Sequence, residues 1–481
     1  MSRPLTSLLL VFLLPLLFPA IQTAQAQGSI ELSETSLYDF REVYTGNFSD
    51  VQFYDVSAQN IGDELEITAE NPFRVSINCY DGFGASITLP TSNGDLAETR
   101  IFVRFFPEQT GEKTGDIIHE SGEAEPKTVS VSGTGIENAI PDGYYATATG
   151  GGSLLKTRLF EIIRNHNVQS YASLWDHFTV TDATFSGKVW DMYSDTPCEE
   201  PPYIYTFYED QDTGTGGNEE GDVYNREHSM PRSWFGGAVN PMNTDLYHIF
   251  PVDKHVNAVR ANFPFGMVDN PEWTSMNGGK LGPNATGSFT GTAFEPIDDY
   301  KGDLARAFFY MITRYENLIE DWTYSEEGNS MFDHSTYPGY EPWALEMLME
   351  WHENDPVSQK EILRNDVVYA IQGNRNPFVD HPEFVERIWG DTTLSTGHLP
   401  SFERMHLYPN PANDHFYFEG KNEVKDLELF SICGKKVWHA QPGLTADRIE
   451  LPALQQGIYL LVFHTVSGIT TREKLLVSPN P

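Results

Sequence analysis

The chain has 481 residues, which is too long for one ordinary domain and predicts two to four. Its 40% hydrophobic and 13% aromatic content is typical of packed globular structure and excludes a disordered chain. The formal net charge is −38, whereas most proteins that bind polyanions are basic at the binding surface. Binding of a nucleic acid would therefore depend on a local cationic groove or a bound metal.

The first 26 residues are typical of a signal peptide. Arg3 provides the positive charge, an apolar run extends from Leu8 to Ile21, and Ala24 to Ala26 form a small-x-small cleavage site. The run is too short and too interrupted by proline for a spanning helix, and no later segment is long enough. We therefore expect an exported chain that starts near Gln27 and has no transmembrane segment.

The three cysteines, Cys79, Cys198 and Cys433, lie far apart and in different predicted domains. Their spacing indicates neither a disulfide framework nor a paired-cysteine zinc site. We therefore expect stability to come from the packed core.

Residues 28–137 contain short Val-, Ile-, Phe- and Tyr-rich runs separated by turn residues, for example Arg100 to Phe105 and Thr128 to Val131. This pattern predicts a β-sandwich. The ending at 131–135, VSGTG, resembles the immunoglobulin-like accessory domains found beside bacterial enzymes. The region shows no catalytic constellation, so we interpret it as a spacer or a partner-binding domain.

Residues 138–395 differ in composition and predict an α+β domain. Leu154–His166, Asp303–Leu318 and Glu341–Glu353 carry apolar residues at helical spacing. Strand-like and aromatic-rich loop segments lie between the first two predicted helices.

A short polar linker, residues 396–404, precedes a strand-rich tail at residues 405–481. The tail opens with YPNPA at 408–412, contains GIYLL at 457–461 and closes with REKLLV at 472–477. Together these segments resemble the C-terminal sorting domain of the bacterial type IX secretion system. The resemblance implies that the type IX machinery is a partner, and that the protein crosses the outer membrane and is then attached to the surface or released. The alternative is a small β-sandwich with an unrelated binding role.

The central region contains three chemically informative blocks: NREHSMPRSWF at 225–235, DLYHIFP at 245–251 and VNAVRANF at 256–263. Hydrolysis of a phosphodiester requires a base for water and a cation for the growing charge. The carboxylate of Glu227 and the amide carbonyl of Asn257 would suit a hard cation, and the imidazole of His228 would suit the base. Neighbouring strand residues face opposite sides, so Glu227 and His228 share a site only if the strand ends or bends there.

A short helix is predicted from Asp253 to Ala261, after Pro251. Lys254, Asn257 and Arg260 recur at three-residue spacing and lie on one face of it.

In this order, the three blocks resemble the endonuclease I family of secreted nonspecific nucleases, which has a ββα-metal (His-Me finger) motif. The similarity covers roughly residues 141–392 and includes VWDMYS at 189–194, GDLARA at 302–307, QGNRNPF at 372–378 and DHPE at 380–383. It implies a sequence-nonspecific endonuclease acting on DNA and possibly RNA, with Mg²⁺ or another divalent cation such as Ca²⁺ or Mn²⁺.

Carried over by position, the resemblance implies that His228 is the general base and that Glu227 and Asn257 bind the metal. Arg232, Lys254 and Arg260 are candidate phosphate contacts on the basis of charge and placement.

The sequence departs from some relatives in two ways. Those relatives carry disulfides, which this chain is expected to lack. Some also carry an arginine in a longer loop, where this chain has only Gly236 to Asn243. The sequence therefore does not identify which cation binds the leaving phosphate.

Other polar residues in these blocks have structural interpretations. His248 is expected to pack beside the site, Asp245 to support it from behind, and Asn374 and Asn376 to fix backbone turns. The acidic segment 210–222 fails the EF-hand pattern and is interpreted as a solvated loop.

Two other functions remain open from the sequence. One is a surface adhesin or ligand-binding protein with a degenerate nuclease domain, which the complete set of Glu227, His228 and Asn257 disfavours. The other is a different hydrolase that uses the same metal site. Backbone recognition does not distinguish DNA from RNA.

Overall fold

The structure is a computed structural model. It describes residues 27–122, 124–322 and 325–390, and in the tail the segments 406–408, 412–419, 424–431, 435–440, 448–452, 454, 457–465 and 470–477. The expected signal peptide and the linker 396–404 lie outside the described residues. The described residues form two compact units, one ending at residue 385 and the other beginning at residue 386. Within the described ranges, no helix is both long and apolar enough to span a bilayer.

The N-terminal region consists of nine strands in two sheets, as its alternating sequence predicts. The sheet orders are β1-β3-β7-β5 and β2-β9-β8-β4-β6, and one apolar core lies between them. The strands are β1 Ser29–Leu32, β2 Glu42–Tyr44, β3 Gln52–Gln59, β4 Glu64–Ala69, β5 Phe73–Ser76, β6 Ser86–Pro90, β7 Leu96–Phe105, β8 Gly111–Glu120 and β9 Lys127–Ile136.

The central region combines nine helices with five strands among the described residues. The strands are β10 Tyr224–His228, β11 Ile249–Asp253, β12 Trp273–Thr274, β13 Lys280–Pro283 and β14 Thr292–Glu295. The helices are α1 Gly152–Ile163, α2 Leu174–Thr181, α3 Lys254–Arg260, α4 Lys301–Arg314, α5 Glu326–Met331, α6 Pro342–Asn354, α7 Gln359–Gln372, α8 Pro377–Asp380 and α9 Glu383–Trp389. The three helices expected from apolar spacing therefore correspond to α1, α4 and α6.

Helix α4 is the centre of this region, because every one of its residues is buried. Lys301, Asp303 and Arg306 of α4 form ion pairs, and Arg314 donates to His166. Arg306 donates from Nε to Glu361 Oε1 at 2.5 Å and from Nη2 to Glu361 Oε2 at 2.7 Å. A bidentate arginine–carboxylate pair satisfies both partners where an unpaired charge would be strongly destabilising. This pair binds α4 to the first turn of α7.

The N-terminal and central regions are joined by a disulfide between Cys79 and Cys198, whose Cα atoms are 5.7 Å apart. The expectation that the chain lacks disulfides is therefore wrong. The two cysteines are 119 residues apart and belong to different regions, so sequence spacing does not reveal their pairing. The hydroxyl of Tyr44 also donates across this boundary to Asp366 at 2.5 Å.

A cleft of about 1900 Å³ also lies between these two regions. Its lining holds many more acidic than basic side chains, among them Asp50, Glu199 and Asp298. Such a surface repels a polyanion. Glu227, His228 and Asn257 do not line the cleft, so the candidate site lies elsewhere.

The C-terminal unit is rich in strands, as expected for the tail. Its sheets have the orders β15-β16-β19 and β18-β17-β20-β21 around a core that includes Leu427, Leu461 and Leu475. The strands are β15 His406–Tyr408, β16 His415–Glu419, β17 Val424–Ser431, β18 Lys436–Ala440, β19 Ile449–Glu450, β20 Gly457–Thr465 and β21 Thr470–Val477. Cys433 and part of the YPNPA opening lie outside the described residues.

Candidate active site

The candidate site is built on an antiparallel pair, β10 and β11, followed directly by α3. Glu227 lies opposite Phe250 and His228 opposite Ile249 in the strand register. The side chain of Asp253 caps α3 by accepting from the backbone N–H of Val256 at 2.8 Å. A side-chain cap of this kind satisfies a backbone donor that the helix leaves unpaired and fixes where the helix begins.

The start of α3 is held by residues outside the pair. The hydroxyl of Tyr205 donates to Asp253 at 2.6 Å, and the backbone N–H of Asp253 donates to the Asp191 carboxylate at 3.0 Å. Asp191 belongs to the VWDMYS block, which is part of the family resemblance but has no role that the sequence alone indicates. Its role here is to fix the junction between β11 and α3.

Three side chains of α3 contact the strand and the loop before it. Lys254 pairs with Asp212 at 2.9 Å, and Asn257 Nδ2 donates to Asn225 Oδ1 at 2.8 Å. Arg260 forms an ion pair with Glu227 at 2.9 Å. The carbonyl oxygen of Asn257 takes no part in the bond to Asn225.

Glu227 is almost completely buried and receives two donors on the same carboxylate oxygen, Oε1. Tyr193 donates to it from 3.0 Å, and Arg260 from 2.9 Å. Burial raises the pKa of Glu227, and the charge of Arg260 opposes that effect. Sequence reasoning missed the role of Tyr193, although its VWDMYS block marks it as part of the resemblance.

Arg260 does not fit the expected role of a phosphate contact, because it is 0% exposed. Its guanidinium also donates to the backbone carbonyls of His228 at 3.2 Å and Ser229 at 2.7 Å. It lies 4.5 Å from the ring centre of Phe265. Arg260 therefore joins α3 to the end of β10 and holds the carboxylate of Glu227.

His228 faces the opposite side of β10 from Glu227, as alternation along a strand requires. Its ring stacks on Tyr171 at 6.1 Å and meets His248 edge-on at 5.5 Å. Strand β10 ends at His228, which is the strand end that a site shared by Glu227 and His228 needs, and the sharing itself is a proposal.

The imidazole of His228 is hydrogen-bonded through Nε2 to the backbone carbonyl oxygen of Asn243 at 3.2 Å. Burial lowers the pKa of His228 well below 6.5, and the nearby rings and charges of His248, Arg232 and Arg226 lower it further. The Asn243 carbonyl acts in the opposite direction. The ring is therefore neutral at neutral pH.

Two arginines lie on the His228 side of β10. Arg226 is half-buried, with its guanidinium 3.7 Å from the ring centre of Tyr171 and 4.2 Å from that of Trp175. Arg232 is exposed and lies 5.9 Å from the Tyr171 ring. Tyr171 is absent from the sequence-based candidates because only the fold brings it to this strand. Arg226 is absent from them because its orientation depends on Tyr171.

Asp245 fixes the segment before β11 through hydrogen bonds to other parts of the central region. This buried carboxylate accepts from the hydroxyls of Tyr310 and Tyr315, each at 2.8 Å, and from Gln372 at 3.0 Å. His248 is fully buried and bonds the Met242 carbonyl oxygen at 2.7 Å. These contacts agree with the supporting roles expected for Asp245 and His248.

The two asparagines of the GNRNPF segment differ, because Asn376 fixes a local turn, as expected, whereas Asn374 bonds groups that are distant in the sequence. Asn376 caps α8 by accepting from Phe378 N–H at 3.0 Å, and Asn374 donates to the Ile163 carbonyl oxygen at 3.2 Å.

No group of three or more His, Cys, Asp or Glu side chains is arranged as a metal site within the described ranges. The two sequence-predicted ligands instead offer one carboxylate, on Glu227 of β10, and one amide oxygen, on Asn257 of α3. Oxygen donors of this kind fit a hard divalent cation that retains several waters. They do not fit a structural zinc site, which takes four nitrogen or sulfur ligands.

Comparison with known proteins gives two family matches. Residues 151–383 match the family described as Endonuclease I, a range that contains Glu227, His228 and Asn257. Residues 406–478 match the family described as Secretion system C-terminal sorting domain.

Individual relatives agree with the first match. The extracellular ribonuclease of Bacillus amyloliquefaciens is 36% identical over 261 residues, covering 52% of this chain and 80% of the relative. The extracellular ribonuclease of Bacillus subtilis (strain 168) is 33% identical over 288 residues, covering 58% of this chain and 90% of the relative. Endonuclease-1 of Buchnera aphidicola subsp. Baizongia pistaciae is 25% identical over 138 residues, covering 29% of this chain and 46% of the relative.

Proposed function

The chain belongs to the endonuclease I family, and from this membership and the geometry around His228 we propose that it cleaves phosphodiesters with a histidine base and one divalent cation. It is a nuclease that is secreted or held at the cell surface, because it carries a type IX sorting domain and its relatives are extracellular nucleases. We include RNA as well as DNA among its substrates, since both ribonucleases and endonucleases are among those relatives.

The contact that carries the proposal is the bond between Nε2 of His228 and the carbonyl oxygen of Asn243. A carbonyl oxygen only accepts, so Nε2 must hold the ring proton in this bond. In a neutral imidazole, Nδ1 then has a free lone pair and can accept a proton from water. We therefore assign the role of general base to Nδ1 of His228.

The cation is assigned to Glu227 and Asn257. Tyr193 and Arg260 both donate to Oε1 of Glu227, and we assign Oε2 of Glu227 and the carbonyl oxygen of Asn257 to the cation. When bound, Mg²⁺, Ca²⁺ or Mn²⁺ would neutralise charge that develops on the phosphate and the leaving oxygen. Tyr193 and Arg260 orient the carboxylate, and neither touches substrate.

The three sequence-based candidates for phosphate binding receive different roles in this proposal. Arg232 remains a phosphate contact because it is exposed on the His228 side. Lys254 contacts phosphate only if it releases Asp212. Arg260 is assigned to positioning Glu227.

We also propose to which fold groups the central and N-terminal regions belong. The order β10, β11, α3 and its packing support the His-Me finger group, and the two N-terminal sheets support an immunoglobulin-like accessory domain. We propose the boundaries 1–26 for the signal peptide, 28–137 for the accessory domain, 138–395 for the nuclease domain, 396–404 for the linker and 405–481 for the sorting domain. The type IX machinery is the proposed partner in secretion.

Digestion of supercoiled plasmid and of structureless RNA, with Mg²⁺ and with EDTA, tests the function. We expect both polymers to be cut with Mg²⁺ and to stay intact with EDTA. An adhesin with a degenerate nuclease domain would bind nucleic acid or another ligand without cutting. A different hydrolase on the same metal site would spare both polymers and act on another ester. Cleavage that persists in EDTA would contradict the role of the cation.

A further inference from the structure

The His228 side of β10 carries two arginines that are not bonded to a carboxylate, although Asp212, which pairs with Lys254, also attracts Arg226. In the part of the chain that the structure describes, neither Arg226 nor Arg232 forms an ion pair with an acidic side chain, although the chain contains 69 acidic and 31 basic residues. Lys254 and Arg260, by contrast, are paired with Asp212 and Glu227. In such an acidic chain, two neighbouring arginines without a carboxylate bonded to either are a local site for an anion.

Arg226 is fixed in one orientation by its neighbours. Its guanidinium lies over the rings of Tyr171 and Trp175, and its Nη1 donates to the Tyr171 backbone carbonyl oxygen at 2.7 Å. One edge of the planar group is thereby used, and its other N–H groups remain for a ligand. A guanidinium held flat in this way has lost its conformational freedom before the ligand arrives, which lowers the cost of binding.

The two arginines lie beside the proposed base. Arg226 and His228 are two residues apart on one strand face, a separation of roughly 6.8 Å. Both contact the ring of Tyr171, and Arg232 approaches the same ring. A polynucleotide strand that places one phosphate at His228 therefore brings its neighbouring phosphate to these arginines.

We propose that Arg226 and Arg232, arranged around Tyr171, bind the phosphate adjacent to the one that is cleaved. The inference rests on the proposed function and adds a second phosphate subsite to it. The ligand is the sugar–phosphate backbone, so the subsite increases affinity without reading base sequence. It also predicts that substrates with one phosphate are used less well than polymers.

Kinetics on two substrates separate this role from a structural one. The substrates are a single-stranded oligonucleotide of about 12 nucleotides, a length within the usual range of single-strand binding sites, and bis(p-nitrophenyl) phosphate, which has one phosphate. We expect Arg226→Met and Arg232→Met each to raise KM for the oligonucleotide about tenfold, as loss of a charged hydrogen bond predicts. On the small ester, the loss in kcat/KM should be clearly smaller than on the oligonucleotide, because the contact to the adjacent phosphate has no counterpart there.

The matched control is Arg164→Met, which removes an exposed arginine from the end of α1 that pairs with Glu161. It should behave as wild type on both substrates. An equal loss on both substrates in Arg226→Met would show that Arg226 acts through His228, and the subsite would be excluded. Arg226→Lys keeps the charge without the flat guanidinium and should retain part of the affinity, which keeps the test open if Arg226→Met does not fold.

Binding in EDTA provides a readout that does not depend on cleavage. With a fluorescent oligonucleotide, Arg226→Met should weaken binding and reduce the slope of log K against log salt by about 0.7, the value for one single-strand phosphate contact. If the wild-type protein cleaves neither substrate, but Arg226→Met still lowers its affinity and salt slope, the subsite stands and the proposed function fails. If affinity and slope are unchanged in both arginine variants, the subsite is wrong.

Discussion

Nε2 of His228 and the backbone carbonyl oxygen of Asn243 are 3.2 Å apart, and this contact determines which nitrogen of the ring is free. Because the acceptor is a backbone atom, most side-chain substitutions at residue 243 leave it in place. The ring is held on its other sides by Tyr171 and His248. The orientation of the His228 ring, the proposed base, is therefore set by the fold of the segment between β10 and β11.

The first prediction concerns pH. Burial, followed by the influence of His248 and the nearby arginines, lowers the pKa of His228 well below 6.5, so the proposed base stays neutral in mildly acidic solution. A bound dication would shift the pKa in the same direction. We expect kcat to be flat through neutral pH and to fall only below pH ~6.5, as the ring becomes protonated. A kcat limb at or above that value would contradict the assignment.

The measurement requires saturating metal at each pH. Burial raises the pKa of Glu227, so protonation of this carboxylate would weaken cation binding and produce a separate acid limb at low metal concentration. Repeating the pH profile at two high Mg²⁺ concentrations distinguishes the His228 limb from the Glu227 limb, since only the Glu227 limb moves with the metal concentration.

The second prediction separates the base from the metal ligands. Glu227→Gln and Asn257→Ala should weaken cation binding, so high Mg²⁺ should partly restore their activity. His228→Ala removes the proton acceptor and should stay about 10²–10⁴-fold slower at any metal concentration. Parallel Mg²⁺ titrations of the three variants are the measurement. Near wild-type turnover of His228→Ala at saturating metal would exclude His228 as the base.

The third prediction concerns the disulfide between the N-terminal and central regions. Replacing Cys79 and Cys198 by serine should lower the free energy of unfolding by about 2–4 kcal/mol, mainly because the unfolded chain is no longer cross-linked. Urea unfolding monitored by circular dichroism measures this, with Cys433→Ser in both proteins to prevent exchange. Reductant should destabilise the parent to the level of the variant and leave the variant unchanged. Equal stability of oxidised parent and variant would argue against the bond.

The fourth prediction concerns the sorting domain. A chain without residues 405–481 should keep its nuclease activity, because the endonuclease I match ends at residue 383. We expect the truncated enzyme to accumulate in the periplasm instead of reaching the surface or medium. Fractionation followed by an activity assay is the measurement, and the full chain is the control. Delivery of the truncated chain as efficient as that of the full chain would show that the tail is not the signal.

Periodicity and end signals predicted much of the fold. Helices α1, α4 and α6 follow from apolar spacing, and α3 follows from its place after Pro251. These features are local, so the sequence reports them directly.

Long-range pairing was not accessible in the same way. Arg260 has the charge and helical position of a phosphate contact, but its guanidinium packs on Phe265 and pairs with Glu227, which only the folded chain brings together. Tyr171 and Asn243 come from segments without any site motif. The Cys79–Cys198 bond joins two regions whose contact cannot be inferred from either one.

The position of that bond has a consequence for a protein exposed to extracellular proteases. The 119-residue span between Cys79 and Cys198 encloses residues 137–151, the connection from β9 to α1. A protease that hydrolyses one peptide bond in this connection would leave two polypeptides held by a sulfur–sulfur bridge. Nicked enzyme would therefore keep its mass and its N-terminal sheets in an oxidising medium, and would be free to separate into two fragments only where thiols are abundant.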